Sequence, residues 1–405
     1  MEELCNLTIE LNPEYLKDLD EKSNHSVLVD VETLGSYIEH TRNALNNPPS
    51  QEYEDKLLRN LQVANQLLAQ VKEQDGDHWV DEYWEQIDSG RIQGHGISLQ
   101  RVSKEVRHAA LGRCHRYDFK AASYAMMTSL ALQLDPAIRV EVLKDYIKNR
   151  SSIRKRIAKD IGISEDWMKS IFTSLGFGAE LKDNPYSSIR EMLGREKYHK
   201  LICNTEFLSI KQQLDQVSTT IHKNSAFPDG GFTFLGRTYT QINPKDGKKR
   251  TKNQKLAWIY QCMESHALGL FANMIPAECN VRLLVHDCVY VEQRLPSAVL
   301  QDIKWKLSQT YSLLNCEHDA IIPIHAEHFK HSRQQVIEQL QTDHRRDIAA
   351  QERDAQAYRP MPGTVSASPC VQPTKQVMTA WGLVDADLMP VKVRPNEKEQ
   401  IDYDM

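Results

Sequence analysis

The stretch LLVHDCVYVEQ (283–293) sets a histidine and an aspartate side by side between two apolar runs. The flanks are rich in strand formers and carry no helical stripe, so they read as two short buried strands with His286 and Asp287 at the turn between them. An ionisable pair at the tip of a buried hairpin is costly to desolvate, and it calls for partners elsewhere in the chain.

Two other stretches offer such partners. In HRYDFKAASYAMM (115–127), Asp118 ends a short aromatic strand and a small-residue helix follows. Read alone, Asp118 is a helix cap, because aspartate accepts from the first free amides of a helix. In RKRIAKDIGISEDWMKSIFTSLGFGAE (154–180), Lys169, Thr173, Phe177 and Gly178 fall on or near one helical face. Lys169 and Phe177 are about two turns apart, so a cationic head and an aromatic ring are expected to clamp one ligand between phosphate and base.

The chain has 405 residues, 40% hydrophobic and 26% charged, with a formal net charge of -5. Such a composition fits a globular protein of two or three subdomains, at roughly 100–200 residues each. No apolar run approaches the roughly 18 residues a membrane helix needs, and the acidic stretch Met1 to Leu11 lacks the order of a secretion signal. A cytoplasmic protein with no membrane partner is the expectation. The eight cysteines are scattered without a C-x-x-C pair, which argues against structural zinc and a disulfide framework. Net acidity argues against whole-surface coating of nucleic acid and leaves room for a local basic channel.

Taken in order, Asp118, the Lys169–Phe177 helix and the His286-Asp287 pair resemble the three motifs of family A DNA polymerases and of the single-subunit RNA polymerases of phages and mitochondria. In that superfamily the first motif supplies a metal-binding aspartate. The second is a helix of pattern K-x7-Y/F-G that contacts the incoming nucleotide, and the third is an H-D dyad at a hairpin tip. The resemblance spans residues 95–335, with KLAWIYQCMESHALGLFANM (255–274) in place of the helix before the dyad and AIIPIHAEHF (320–329) as the strand after it. It implies an α+β right-hand polymerase. Residues 91–140 and 281–340 would form an antiparallel palm sheet, and 141–280 helical fingers and connecting helices with a basic insertion at 225–255. A helical N-terminal region (1–90) and a flexible C-terminal tail (341–405) complete that organisation.

The same resemblance implies a DNA-directed RNA or DNA polymerase, primase-like, serving a mobile element or phage-like replicon. Its substrates would be nucleoside triphosphates on a nucleic-acid template and primer. Its cofactor would be two Mg2+ ions about 3.5–4 Å apart, with Mn2+ as a substitute. Asp118, Asp287 and the backbone carbonyl of Phe119 are the implied ligands, since hard cations take oxygen donors. Lys169 would neutralise the triphosphate and His286 would position the primer end or the dyad, giving a catalytic set of Asp118, Asp287, Lys169 and His286. Lys169, Thr173, Phe177, Gly178 and Ser123 are the implied nucleotide contacts. Ser123 stands five positions after Asp118, where DNA-making relatives carry a glutamate against the ribose hydroxyl and RNA-making relatives a small residue. Phe177 stands where RNA polymerases use tyrosine, so weak sugar discrimination is expected.

One position departs from the pattern. The family's basic residue one turn before the helix lysine is Glu165 here, and Arg154, Lys155 and Arg156 are expected to replace it and to contact nucleic acid. The run Lys245, Lys248, Lys249, Arg250, Lys252 and Lys255 reads either as a grip on the template backbone or as a solvated loop.

Three other readings compete. RIAKDIGISEDWMKSIF also fits a helix-turn-helix, with Ala158, Gly162 and Met168 at the contact and turn positions, making a non-catalytic DNA-binding replication initiator the alternative. An HD phosphohydrolase would pair His286-Asp287 with His325 or His328, but such dyads sit on helices. VLVDVETLG (27–35) has the D-x-E of a proofreading exonuclease at Asp30 and Glu32; the stretch between it and the palm is about half what that domain occupies, and a strand-to-helix junction capped by Asp30 is the simpler reading. In the tail, PTKQVMTAWG (373–382) reads as a peptide that docks on a replication partner.

Overall fold

The computed structural model describes residues 22–184, 187–244 and 247–321, and the backbone of two short strands at 376–379 and 382–385. The rest of the tail, with His325, His328 and Lys245, lies outside the described residues. The first elements are β1 (Lys22–Leu28), α1 (Val31–Ala44), α2 (Gln51–Gln70), β2 (Lys72–Gln74), β3 (Asp77–Gln86), β4 (Ile92–His95) and α3 (Lys104–Leu111). There follow β5 (Cys114–Lys120), α4 (Ala122–Leu134), α5 (Glu141–Ile161), α6 (Glu165–Gly176), α7 (Ser188–Cys203), α8 (Thr205–Lys223), β6 (Gly231–Phe234) and β7 (Arg237–Thr240). The last are α9 (Lys252–Asn273), β8 (Val281–Val285), β9 (Cys288–Val291), α10 (Ser297–Thr310) and β10 (Asn315–Ile321), then the paired strands β11 (Gln376–Thr379) and β12 (Gly382–Asp385).

The central sheet has the order β10-β5-β9-β8, and every adjacent pair is antiparallel. All four residues of β9 are buried. Side chains alternate across a strand, and here each face meets a different apolar core. Val289 and Val291 join the large core with α4, α5, α6, α8 and α9, whereas Cys288 and Tyr290 join the core of the N-terminal elements. That double burial is why the sequence of the hairpin is apolar throughout rather than alternating. Strand β10 begins at Asn315, five residues before the expected AIIPIHAEHF, whose residues after Ile321 lie outside the described ones.

Residues 22–95 correct the expectation of a helical N-terminal region. Strands β1, β2 and β4 all pair with β3, and α1 and α2 pack beside them. The inner face of β3 carries His78, Val80, Glu82 and Trp84, so two of its four buried positions are polar and the apolar alternation is hidden. Glu82 survives there because it accepts from the Leu99 amide and from Trp84 Nε1 at 2.7 Å; burial still pushes its carboxyl up to about 6. Asp30 caps α1 by accepting from the Thr33 amide at 2.9 Å, which agrees with the junction reading of VLVDVETLG. No described helix is long and apolar enough to cross a membrane.

Helix α9 starts with a reciprocal capping box between Thr251 and Gln254. At its centre Glu264 pairs with Arg91 at 2.7 Å, both 2% exposed or less, and accepts from the Tyr260 hydroxyl at 2.7 Å. Removing one partner of a buried pair strands the other charge. Glu264→Ala is therefore expected to lose about 3–5 kcal/mol of stability in urea denaturation, while Arg91→Met combined with Glu264→Leu loses far less.

Candidate active site

Register brings the two aspartates together. Asp118 on β5 lies opposite Cys288 of β9 on one side and Glu317 of β10 on the other. The next amide, that of Phe119, donates to the Asp287 carbonyl at 2.9 Å. In an antiparallel strand a residue's amide and carbonyl point to the same neighbour, so the Phe119 carbonyl is aimed at the same turn. His286 closes that two-residue turn with a left-handed φ of 51°, as tight hairpins require at their first central position. Gln100 fastens the preceding strand: its Nε2 donates to the Leu284 carbonyl at 2.8 Å while its Oε1 accepts from the Gly94 amide at 2.7 Å. The dyad thus sits at a strand turn, not on a helix, which removes the basis for an HD phosphohydrolase.

The cap reading of Asp118 does not hold. The residue before α4 is Ala121, with a left-handed φ of 49° and no side-chain cap, and Asp118 lies within β5.

Asp287 keeps some accessible surface at the turn, yet protein surrounds its carboxyl closely enough that desolvation is the main influence on it. Burial first, then the charges of Asp118 and Glu264, push its pKa up to about 8. Burial also raises Asp118, and Glu317 adds to the rise; Arg116, Arg150 and Lys104 pull the other way. Glu317 is neutralised by Lys120 at 3.2 Å and Arg150 at 3.0 Å. His286 is held well below the usual histidine range by burial and by the charges of Arg91 and Arg107, so its ring is neutral.

Among the described residues no three His, Cys, Asp or Glu side chains converge as a ready-made metal cluster. The available donors are two carboxylates and a main-chain carbonyl. All are hard oxygens, and the carboxylates carry mutual repulsion that a divalent cation would relieve. The donor set therefore fits a hard cation of the magnesium type.

Helix α6 begins with Ser164, whose side chain accepts from the Trp167 amide. Lys169 is solvent-facing on it, and the Thr173 hydroxyl donates back to the Lys169 carbonyl at 2.9 Å. Phe177 caps the helix C-terminus, 8% exposed and edge-on to Tyr260 at 5.8 Å. The clamp expected of Lys169 and Phe177 is corrected accordingly: the cation faces solvent, and the ring is seated in the core. Ser123, in the first turn of α4, abuts this helix end; a Cβ added to Gly176 would stand 3.3 Å from its Oγ. Gly178 follows with φ +89°, and Asn253 packs so closely on it that a Cβ would come within 2.6 Å of its side chain. No other residue fits there without strain.

The expected nucleic-acid contacts divide. Arg154 donates to the Tyr146 hydroxyl at 2.7 Å and lies over the Tyr146 and Phe172 rings, so it is part of the helix packing. Arg156 is paired with Glu206, and Lys155 with Glu165 at 3.7 Å. Arg250 is paired with Asp88 over the Tyr239 ring, its side chain 9% exposed, and Lys255 is buried on the Phe227 carbonyl and Asp229. Both are removed from the basic run as free cations. Lys248 and Lys249 are exposed beyond the β6–β7 hairpin.

Sequence reasoning missed Glu317, Glu264 with Arg91, and the pair Lys104 and Arg116. Only Arg116 carried a local signal, standing two residues before Asp118 and so on the same face of β5.

The sequence matches no family model, and no curated protein matches it. A solved structure does: the POL domain of Pol1 from M. smegmatis, in complex with DNA primer-template and dNTP, is 12% identical with a TM-score of 0.50, over 75% of this chain and 68% of that one. The chain has a polymerase-like fold of mixed helices and antiparallel sheet.

In the folded chain Asp287 keeps its proton up to about pH 8, whereas an unfolded aspartate loses it near about 4. The folded state thus binds more protons over that interval, and this group's contribution to stability falls as pH rises through it. Melting of the metal-free protein should show Asp287→Asn close to wild type at pH 5 and more stable by at least about 2 °C at pH 9. A difference independent of pH would contradict this account.

Proposed function

We propose that the chain is a template-directed nucleotidyltransferase, primase-like, which joins nucleotides by in-line attack of a primer 3′-hydroxyl on a nucleoside triphosphate. The observation that carries the reading is the pairing of β5 with β9, which sets Asp118 beside Asp287, with Lys104 linking Asp118 electrostatically to Lys169. The polymerase-like fold supports it at the level of architecture.

On this reading Asp118, Asp287 and the Phe119 carbonyl would hold the divalent cations, magnesium with manganese as a substitute, whose contribution is to stabilise charge on the attacking and leaving oxygens. Lys169 binds the triphosphate from the solvent side of α6. His286, neutral beside the dyad, orients the primer end. Ser123 leaves the sugar pocket open where a larger acidic residue would close it, and Gly178 lets Asn253 approach the base of the helix. The template and primer, the exposed Lys248 and Lys249 as backbone contacts, and a replication partner for the tail belong to the same reading.

A specific observation favours the initiator alternative locally. Gly162 ends α5 in the left-handed conformation, and Ala158 and Met168 are buried, as a helix-turn-helix needs. The first turn of α6, however, bears Glu165 and Asp166, which would face the phosphates of a DNA groove with the wrong charge.

Incubation of the protein with Mg2+ or Mn2+, primed and unprimed single-stranded templates and labelled ribo- or deoxyribonucleotides should give template-dependent products. Asp287→Asn and Asp118→Asn should each reduce incorporation at least about 100-fold. No incorporation under any condition, together with tight site-specific duplex binding, would transfer the case to the initiator. In the same assay Ser123→Glu should suppress ribonucleotides at least about tenfold more than deoxyribonucleotides. Equal loss of both would remove the sugar-gate assignment.

A further inference from the structure

A nucleotide triphosphate brings up to four negative charges into a small volume, and α6 supplies Lys169 without a second cation one turn earlier, where Glu165 stands. None of the three upstream candidates makes good the deficit: Arg154 is held by Tyr146, Lys155 pairs with Glu165 itself, and Arg156 pairs with Glu206. Positive charge stands instead on the strand that carries Asp118. Arg116 stands two residues before Asp118 on β5, which places both on one face of the sheet. Its guanidinium pairs with Asp319 across the strand pair, its side chain is 16% exposed, and its Nε is buried without a hydrogen-bond partner.

Lys104, the first residue of α3, links this arginine to the helix lysine. The charges acting on its ammonium are those of Arg116, Asp319, Asp118 and Lys169, so each of the four lies within electrostatic reach of Lys104. Partial desolvation, with the like charges of Arg116 and Lys169, lowers the Lys104 ammonium from the usual lysine range although the residue is exposed. A bound polyanion would reverse that penalty.

We propose that Lys104 and Arg116 form, together with Lys169, the subsite for the polyphosphate of the incoming nucleotide and of released pyrophosphate, with the charge absent at Glu165 supplied from α3 and β5. The inference rests on the polymerase reading for its substrate and on the cation cluster for its place. A primer phosphodiester shares the same chemistry but brings one charge per linkage. Three convergent cations suit the polyphosphate better.

The test uses the full chain with Mg2+, a primed template and a single nucleotide, comparing wild type with Lys104→Gln, Arg116→Gln and Lys104→Arg. Each glutamine variant should raise KM for the nucleotide and the inhibition constant of pyrophosphate about tenfold or more, as loss of a charged hydrogen bond does. Primer-template Kd, read by fluorescence anisotropy without nucleotide, should stay within about twofold, and Lys104→Arg should restore KM. Unchanged KM and pyrophosphate inhibition would overturn the subsite, as would a loss confined to primer-template binding. If Arg116→Gln melts early because Asp319 is left unpaired, Lys104→Gln decides the question alone. Calorimetric titration with tripolyphosphate needs no turnover and separates the two failures. Should the wild type incorporate nothing, weaker tripolyphosphate binding in the Lys104→Gln variant keeps the subsite while the polymerase reading falls. Equal binding removes the subsite.

Discussion

The backbone hydrogen bond from the Phe119 amide to the Asp287 carbonyl, at 2.9 Å, is the point on which the site's geometry depends. It is the last rung of the β5–β9 ladder, and it fixes the hairpin turn against the strand that carries Asp118. A slip of one residue in that pairing would turn Asp118 to the opposite face of the sheet. The slip is prevented from both sides, because β9 places Val289 and Val291 in one core and Cys288 and Tyr290 in another. Few strands are so strongly specified.

The same packing explains why the site is electrostatically tense. Close packing around the turn desolvates the Asp287 carboxyl, and the nearby charges of Asp118 and Glu264 add to the cost of ionising it. Arg91 offsets Glu264 directly, at 2.7 Å, and lowers the Asp287 carboxyl as well, though less than Asp118 and Glu264 raise it. Glu317, opposite Asp118 on β10, pairs directly with Lys120 and Arg150. The local charge pattern thus separates a rim neutralised by direct ion pairs from a centre whose two carboxyls are raised by burial and by neighbouring carboxylates. A hard cation at that centre would favour the ionised forms of both.

How far the sequence anticipates this depends on the range of the signal. The hairpin was legible because both apolar runs and the intervening dyad lie within a dozen residues, and the division of 154–180 into α5 and α6 was legible because Gly162 marks the break. The N-terminal sheet was not, since His78 and Glu82 occupy inward positions of β3 and are tolerated only through partners far along the chain, such as the Leu99 amide. The fate of the basic residues was equally hidden. Whether Arg250 meets a phosphate or Asp88, and whether Lys255 is free or buried on Phe227, is decided by contacts that no local pattern announces. Glu317 faces Asp118 only through register between strands far apart in the chain.

Those hidden contacts change how charge on α6 is to be understood. A helix that met duplex DNA as a recognition element would gain from cations in its first turn, where the free amides also favour anions. Here the first turn holds Glu165 and Asp166, which satisfy the helix dipole internally and repel an external phosphate. Lys169 lies a turn further on, past the acidic residues, where its charge reaches Lys104. On the proposed reading an anion bound by Lys169 would lie away from that acidic end. Charge placement on α6 thus favours that reading where its helix-turn-helix geometry alone does not.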